Sequence, residues 1–203
     1  METLLYIVEV SAILVFAYSG LVHARQSGFD LVGVLTIGFV TAFGGGTIRD
    51  VLLGNHPLYW IVHWEFLVLV IVLLPLAMVL LRFNRDISGG LLLTIIDALG
   101  LGLFTASGVG IALSLNTPAL PSAFIGVVTA TFGGVLRDVL CRQKPQLFLR
   151  TEPLYATCAF VGAWIYIGLI KVSIAPTAAL LSCIAAVFLV RMLSVKFDLR
   201  LSF

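Results

Sequence analysis

Polar residues are sparse along this chain and fall at intervals between long apolar runs. Seven runs are long enough to cross a bilayer, at about 4–24, 30–48, 59–81, 89–114, 119–140, 153–170 and 173–194. A spanning helix needs about 20 mostly apolar residues. The connections are short and leave no room for a soluble domain or a low-complexity tail. The pattern predicts an all-α integral membrane protein with seven transmembrane helices in a single membrane domain over 1–203. Composition agrees: 61% of residues are hydrophobic and 11% charged, whereas soluble domains have about 45–50% and about 25%. The opening METLLYIVEV carries Glu2 and Glu9 in place of the basic region of a cleaved signal. The first run is therefore read as a retained span.

The placement of charge predicts orientation. With the N-terminus outside, the inner side receives Arg25, Arg82, Arg85, Arg137, Arg142, Lys144, Arg150, Arg191, Lys196 and Arg200, and the outer side Arg49 and Lys171. Cytoplasmic loops carry the excess of Lys and Arg, so the prediction is N-out/C-in in the cell (inner) membrane. Tyr59, Trp60 and Trp64 then anchor the third span at the outer interface, with His56, His63 and Glu65 beside them.

The chain is internally duplicated. Residues 37–57 (IGFVTAFGGGTIRDVLLGNHP) align without a gap on 125–145 (IGVVTATFGGVLRDVLCRQKP), an offset of 88, with 12 of 21 positions identical. The offset extends upstream, where Phe16, Ser19 and Gly20 match Phe104, Ser107 and Gly108, and Glu9 matches Asp97. The unit is three helices, repeat 1 over about 1–85 and repeat 2 over about 89–171, with helix 7 (about 173–194) unpaired. An odd number of spans puts the second copy upside down. Inverted repeats of this kind are common in transport proteins, with the pathway at the repeat interface.

Each repeat's second helix carries glycines followed by Arg-Asp: Gly44, Gly45, Gly46, Arg49 and Asp50, then Gly133, Gly134, Arg137 and Asp138. Glycine costs about 1 kcal/mol relative to Ala in a helix interior, and consecutive glycines predict a hinge or break that exposes carbonyls to a pathway. The alternative is close helix packing, and the two are compatible. The stripe Ala98, Gly102, Ala106 and Gly110 is read as packing. Intramembrane charges face a bundle interior or water. Glu9, Arg49 and Asp50 fall at the outer end, and Asp97, Arg137 and Asp138 at the inner. Each end then carries one Arg and two carboxylates, a weakly negative vestibule favouring cations. Structural pairing of Arg49 with Glu9 or Asp50, and of Arg137 with Asp97 or Asp138, is the other reading. The matched hydroxyls Thr41 and Thr129 either line a pathway or bond their own backbone. Pro75 predicts a kink in the third span.

Other classes find little support. A net charge of +2 does not suggest nucleic acid, and no soluble partner is indicated. Cys141, Cys158 and Cys183 lack metal or disulfide spacing, and no nucleophile with a partner or nucleotide motif occurs. The chain is not read as an enzyme, and no metal or cofactor is expected.

The duplicated elements FGGGTIRD (43–50) and TFGGVLRD (131–138) in a seven-span chain resemble the prokaryotic trimeric intracellular cation (TRIC) channel family, also known as a glycine-transporter domain. The resemblance covers essentially the whole chain. It implies a homotrimer in the lipid bilayer with one pore per protomer, formed between the repeats and lined largely by helices 2 and 5, which bend at Gly44–Gly46 and Gly133–Gly134. It implies K+ as the chief permeant ion, with Na+ also passing. Phe132 stands where the first copy has Gly44, and is expected to stiffen the inner hinge or act as a plug. The Lys-Glu-Val element of animal members is absent, so their lipid regulation is not carried over. Transport of glycine or another small zwitterion is the alternative function.

Overall fold

The computed structural model describes residues 2–81, 90–149 and 153–200. Arg82, Arg85 and Arg150, used above for orientation, lie outside them. The described residues form eight α-helices: α1 (Glu2–Gln26), α2 (Leu31–Leu53), α3 (Tyr59–Val62), α4 (Glu65–Leu81), α5 (Leu91–Ser114), α6 (Ala119–Leu140), α7 (Ala156–Lys171) and α8 (Pro176–Lys196). A 3-10 turn, Gln146–Phe148, follows α6. Five helices, α1, α2, α5, α6 and α8, are long and apolar enough to cross a bilayer, while α4 and α7 are apolar but shorter. Val72, Val79, Leu80, Leu91 and Trp64 are all more than half exposed. An apolar surface of this kind is solvated by lipid rather than by water.

Local chemistry sets the helix ends. The Asp30 carboxylate accepts the Gly33 N–H at 2.8 Å and caps α2, which stops at Gly54 in the left-handed region (φ 63°). There glycine carries no Cβ penalty. Pro176 opens α8 at a position where its missing N–H is no loss. The predicted third span over 59–81 is interrupted at His63–Trp64, and α4 carries Pro75 within it. The cause is α3's attachment to the end of α2. The Tyr59 N–H donates to Asp50 Oδ2 at 2.7 Å, and Trp60 Nε1 donates to Thr47 Oγ1 at 3.1 Å.

The core lies where α1, α2, α5 and α6 cross, with α7 and α8 laid against α5. The small-residue stripe on α5 serves this packing. Gly102 faces the Ile184 backbone of α8, and Gly110 faces the Tyr166 hydroxyl of α7. Cys141, Cys158 and Cys183 are buried and free.

Candidate permeation site

The glycine clusters do not break their helices. The α-helical pattern runs unbroken through Gly44–Gly46 in α2 and Gly133–Gly134 in α6. What the glycines provide is proximity. A Cβ on Gly45 would fall less than 3.0 Å from the Thr129 carbonyl oxygen, and one on Gly133 equally close to the Thr41 carbonyl oxygen. These contacts are equivalent under the 88-residue offset, so α2 and α6 cross on a pseudo-twofold axis at backbone contact. A second matched pair sits where each repeat's first two helices cross. A Cβ on Gly20 would meet Gly38 Cα at 2.8 Å, and one on Gly108 would meet Gly126 Cα at 3.0 Å. Thr41 and Thr129 donate to Ile37 O and Ile125 O, each at 2.6 Å, within their own helices. Gly44 is covered by the Leu136 side chain. Phe132 is half-buried.

The charged residues gather at the two ends of the bundle, as the duplication predicts. At one end, buried Arg49 donates from Nε to Asp50 Oδ1 at 2.8 Å, and from one terminal nitrogen to Glu9 Oε1 at 2.6 Å and to Ser107 Oγ at 3.3 Å. Ser107 Oγ in turn donates to Glu9. At the other, Arg137 donates to Asp138 Oδ1 at 2.8 Å and to Ser19 Oγ at 2.6 Å. Asp138 Oδ2 accepts the Gln146 N–H at 3.1 Å, the counterpart of Tyr59 on Asp50. Each arginine thus reaches across to a serine of the opposite repeat. Both alternatives for Arg49 are realised together, whereas Arg137 takes Asp138 and not Asp97.

Two cavities adjoin these clusters. The one at the Glu9 end, about 440 Å³, is lined by Thr3, Leu5, Tyr6, Glu9, Tyr59, His63 and Ile111. His63 also bonds Glu65 at 3.1 Å and stacks on Phe66. The cavity at the other end, about 170 Å³, is lined by His23, Gly90, Leu93, Thr94, Asp97, Arg137, Gln146 and Arg191. Between them lie Phe16 and Phe104, both buried, with ring centroids 5.1 Å apart. Residues seven apart share a helix face, being about two turns along. Glu9, Phe16 and His23 on α1, and Asp97, Phe104 and Ile111 on α5, follow that spacing. Two antiparallel helices therefore present acid, aromatic pair and opposite cavity in one line.

Sequence reasoning missed three of these residues. His23 replaces Ile111 under the offset and lies buried with Nδ1 2.8 Å from Ser19 O. Arg191, assigned above only to the inner side, is buried, donates to the Pro153 and Leu154 carbonyls at 2.9 Å, and lies over the Tyr155 ring at 4.9 Å. Its position inside the last apolar run was the available signal. Tyr155 carried none, because nothing in the sequence pairs it with Asp97, toward which its hydroxyl turns. Arg191 also corrects the charge balance. With all groups ionised and His23 neutral, Glu9, Arg49 and Asp50 sum to −1, but Asp97, Arg137, Asp138 and Arg191 sum to zero.

Comparison with known proteins agrees with this architecture. The glycine-transporter family model matches twice, over residues 6–82 and 94–171, with starts separated by the same offset. A UPF0126 membrane protein of Vibrio cholerae is 35% identical, over 98% of this chain and 82% of its own length. The Escherichia coli UPF0126 inner membrane protein YadS is also 35% identical, over 98% and 95%. The crystal structure of the TRIC trimeric intracellular cation channel orthologue from Rhodobacter sphaeroides superposes with TM-score 0.89 at 30% identity, covering 97% of this chain and 100% of that one. The chain belongs to this glycine-transporter family of multi-pass membrane proteins with the TRIC fold, a family of channel or transporter type and not of enzymes.

Proposed function

We propose that the chain is a passive channel for monovalent cations, K+ foremost and Na+ also, with one pore in each protomer of a homotrimer. Seven spans cross the membrane N-out/C-in, α3 and α4 together making the third. Repeats 1–85 and 89–171 enclose the pore, and α8 stands outside the duplication. The observation that carries this reading is the line of two end cavities, each beside a buried Arg-carboxylate cluster, with the Phe16–Phe104 pair between them. The full-length likeness to a cation channel supports it. Glu9 and its partners make one mouth negative and attract cations. Phe16 and Phe104 close the path, and the α2–α6 crossing holds the walls. Purified protein in a planar bilayer should show single-channel steps whose reversal potential follows a K+ gradient. Absence of steps, together with saturable glycine uptake into proteoliposomes, refutes the channel reading.

One observation favours the second reading, transport of glycine or a similar small zwitterion. Among the described residues, neither Asp97 nor Arg191 has an ion-pair partner, and both face the same cavity of about 170 Å³. An ammonium on Asp97 and a carboxylate on Arg191 would satisfy both. Saturable binding of glycine that Asp97→Asn abolishes is the result this reading requires.

A further inference from the structure

The two ends of the bundle share one plan of charges, and α8 enters at only one of them. Glu9, Arg49 and Asp50 repeat as Asp97, Arg137 and Asp138. Arg191 has no counterpart, because α8 has none. It is 4% exposed and lines the cavity at the Asp97 end. Its hydrogen bonds run to two backbone carbonyls, which do not neutralise it, and among the described residues it has no ion pair and its buried Nε has no partner. A buried cation without a counter-ion projects its field into the nearest polar space. Here that space is the cavity holding Asp97.

We propose that Arg191 makes conduction direction-dependent, so that monovalent cations pass more readily from the Glu9 end to the Asp97 end than in reverse. This rests on the channel reading above. The net −1 at the Glu9 mouth concentrates cations there, while Arg191 cancels the equivalent charge at the other mouth. Entry from the Glu9 side is therefore faster at equal concentration and equal driving force. One unit charge acting through water at roughly 7 Å changes a cation's local concentration about threefold. The ratio of currents at equal and opposite voltages is expected to be of that size.

Single-channel recording in symmetric KCl tests this, since each inserted channel reports its own ratio whatever its orientation. Wild type should rectify about threefold. Arg191→Gln should bring the ratio close to one by restoring the negative charge at the Asp97 end. Arg191→Lys, which keeps the charge but not the geometry of the carbonyl bonds, should still rectify. A separate variant leaves α8 untouched: Ile111→Lys, at a half-buried position lining the opposite cavity, should cancel the Glu9-end charge and also bring the ratio close to one. Linear currents in wild type, or a ratio unmoved by both Arg191→Gln and Ile111→Lys, overturn the proposal while leaving the channel intact. Absence of any current in wild type overturns the channel reading and this proposal with it.

Discussion

Gly45→Ala separates two uses of the glycine cluster. A methyl group at Gly45 would meet the Thr129 carbonyl oxygen, and at Gly133 the Thr41 carbonyl oxygen. Both obstacles are helix backbone, which cannot rotate aside as a side chain does. The helices must part by roughly an ångström to reach ordinary contact. Overpacking of this kind costs about 3 kcal/mol at the upper end of its usual range. The better helix propensity of alanine returns about 1 kcal/mol. The net is a loss of about 2 kcal/mol, or roughly 4–8 °C in Tm for a chain of this size. Thermal unfolding in detergent, followed by circular dichroism, measures it. Gly168→Ala on α7 is the matched control: nothing lies within 4 Å of the position, so only propensity acts and the protein should gain up to about 1 kcal/mol. Gly45→Ala and Gly133→Ala together should cost less than their sum, because one separation of α2 from α6 relieves both. A Gly45→Ala protein that melts at or above wild type while losing conduction would refute the packing argument and return the glycines to a hinge role.

The charged ends and the aromatic pair give three further tests. Glu9→Ala leaves Arg49 buried with Asp50 alone and should destabilise the fold by about 3–5 kcal/mol, visible as a large fall in Tm; a loss under 1 kcal/mol would show the ion pair to be solvated. Ser107→Ala removes a hydroxyl bonded to both Arg49 and Glu9, whereas Ser19→Ala removes a single bond to Arg137. The former should cost more, at about 1.5–3 kcal/mol, and equal losses in parallel melts would contradict the geometry. Phe104→Ala should raise resting K+ flux in proteoliposomes despite a core loss of about 3–5 kcal/mol; unchanged flux in protein that remains folded would mean the path does not run between Phe16 and Phe104.

Much of this architecture could be read from the sequence because duplication writes the same chemistry twice. An apolar run gives a helix, and a repeat with an odd number of helices inverts. The offset then predicts that any contact made by Arg49 recurs at Arg137. It correctly brings Asp50 to Arg49 and Asp138 to Arg137, and it places both serines among the matched positions. The offset does not say that each serine serves the arginine of the other repeat, because that depends on how the copies interlock. The absence of a break at the glycines has a related cause. Propensity treats Gly44–Gly46 as a weakness in an isolated helix, but the cost is offset when a second helix lies against the bared backbone. In this chain the partner of Gly45 is a backbone atom 84 residues away in sequence.

The least legible part is where symmetry fails. Asp97 is one methylene shorter than Glu9, and among the described residues it makes no ion pair with Arg137, whereas Glu9 reaches Arg49 at 2.6 Å. The carboxylate left without an ion pair at that end coincides with the arrival of an arginine from α8. Asp97 and Arg191 balance one another: without Arg191 that end would carry the same net −1 as the Glu9 end, and with it the sum is zero. Together they keep a carboxylate and a guanidinium apart across a small polar space. An unpaired helix appended to an inverted duplication therefore does more than cover α5 and α7. On the channel reading it is the element that would distinguish the two directions of travel, by setting an α8 arginine beside Asp97 where the Glu9 end has none.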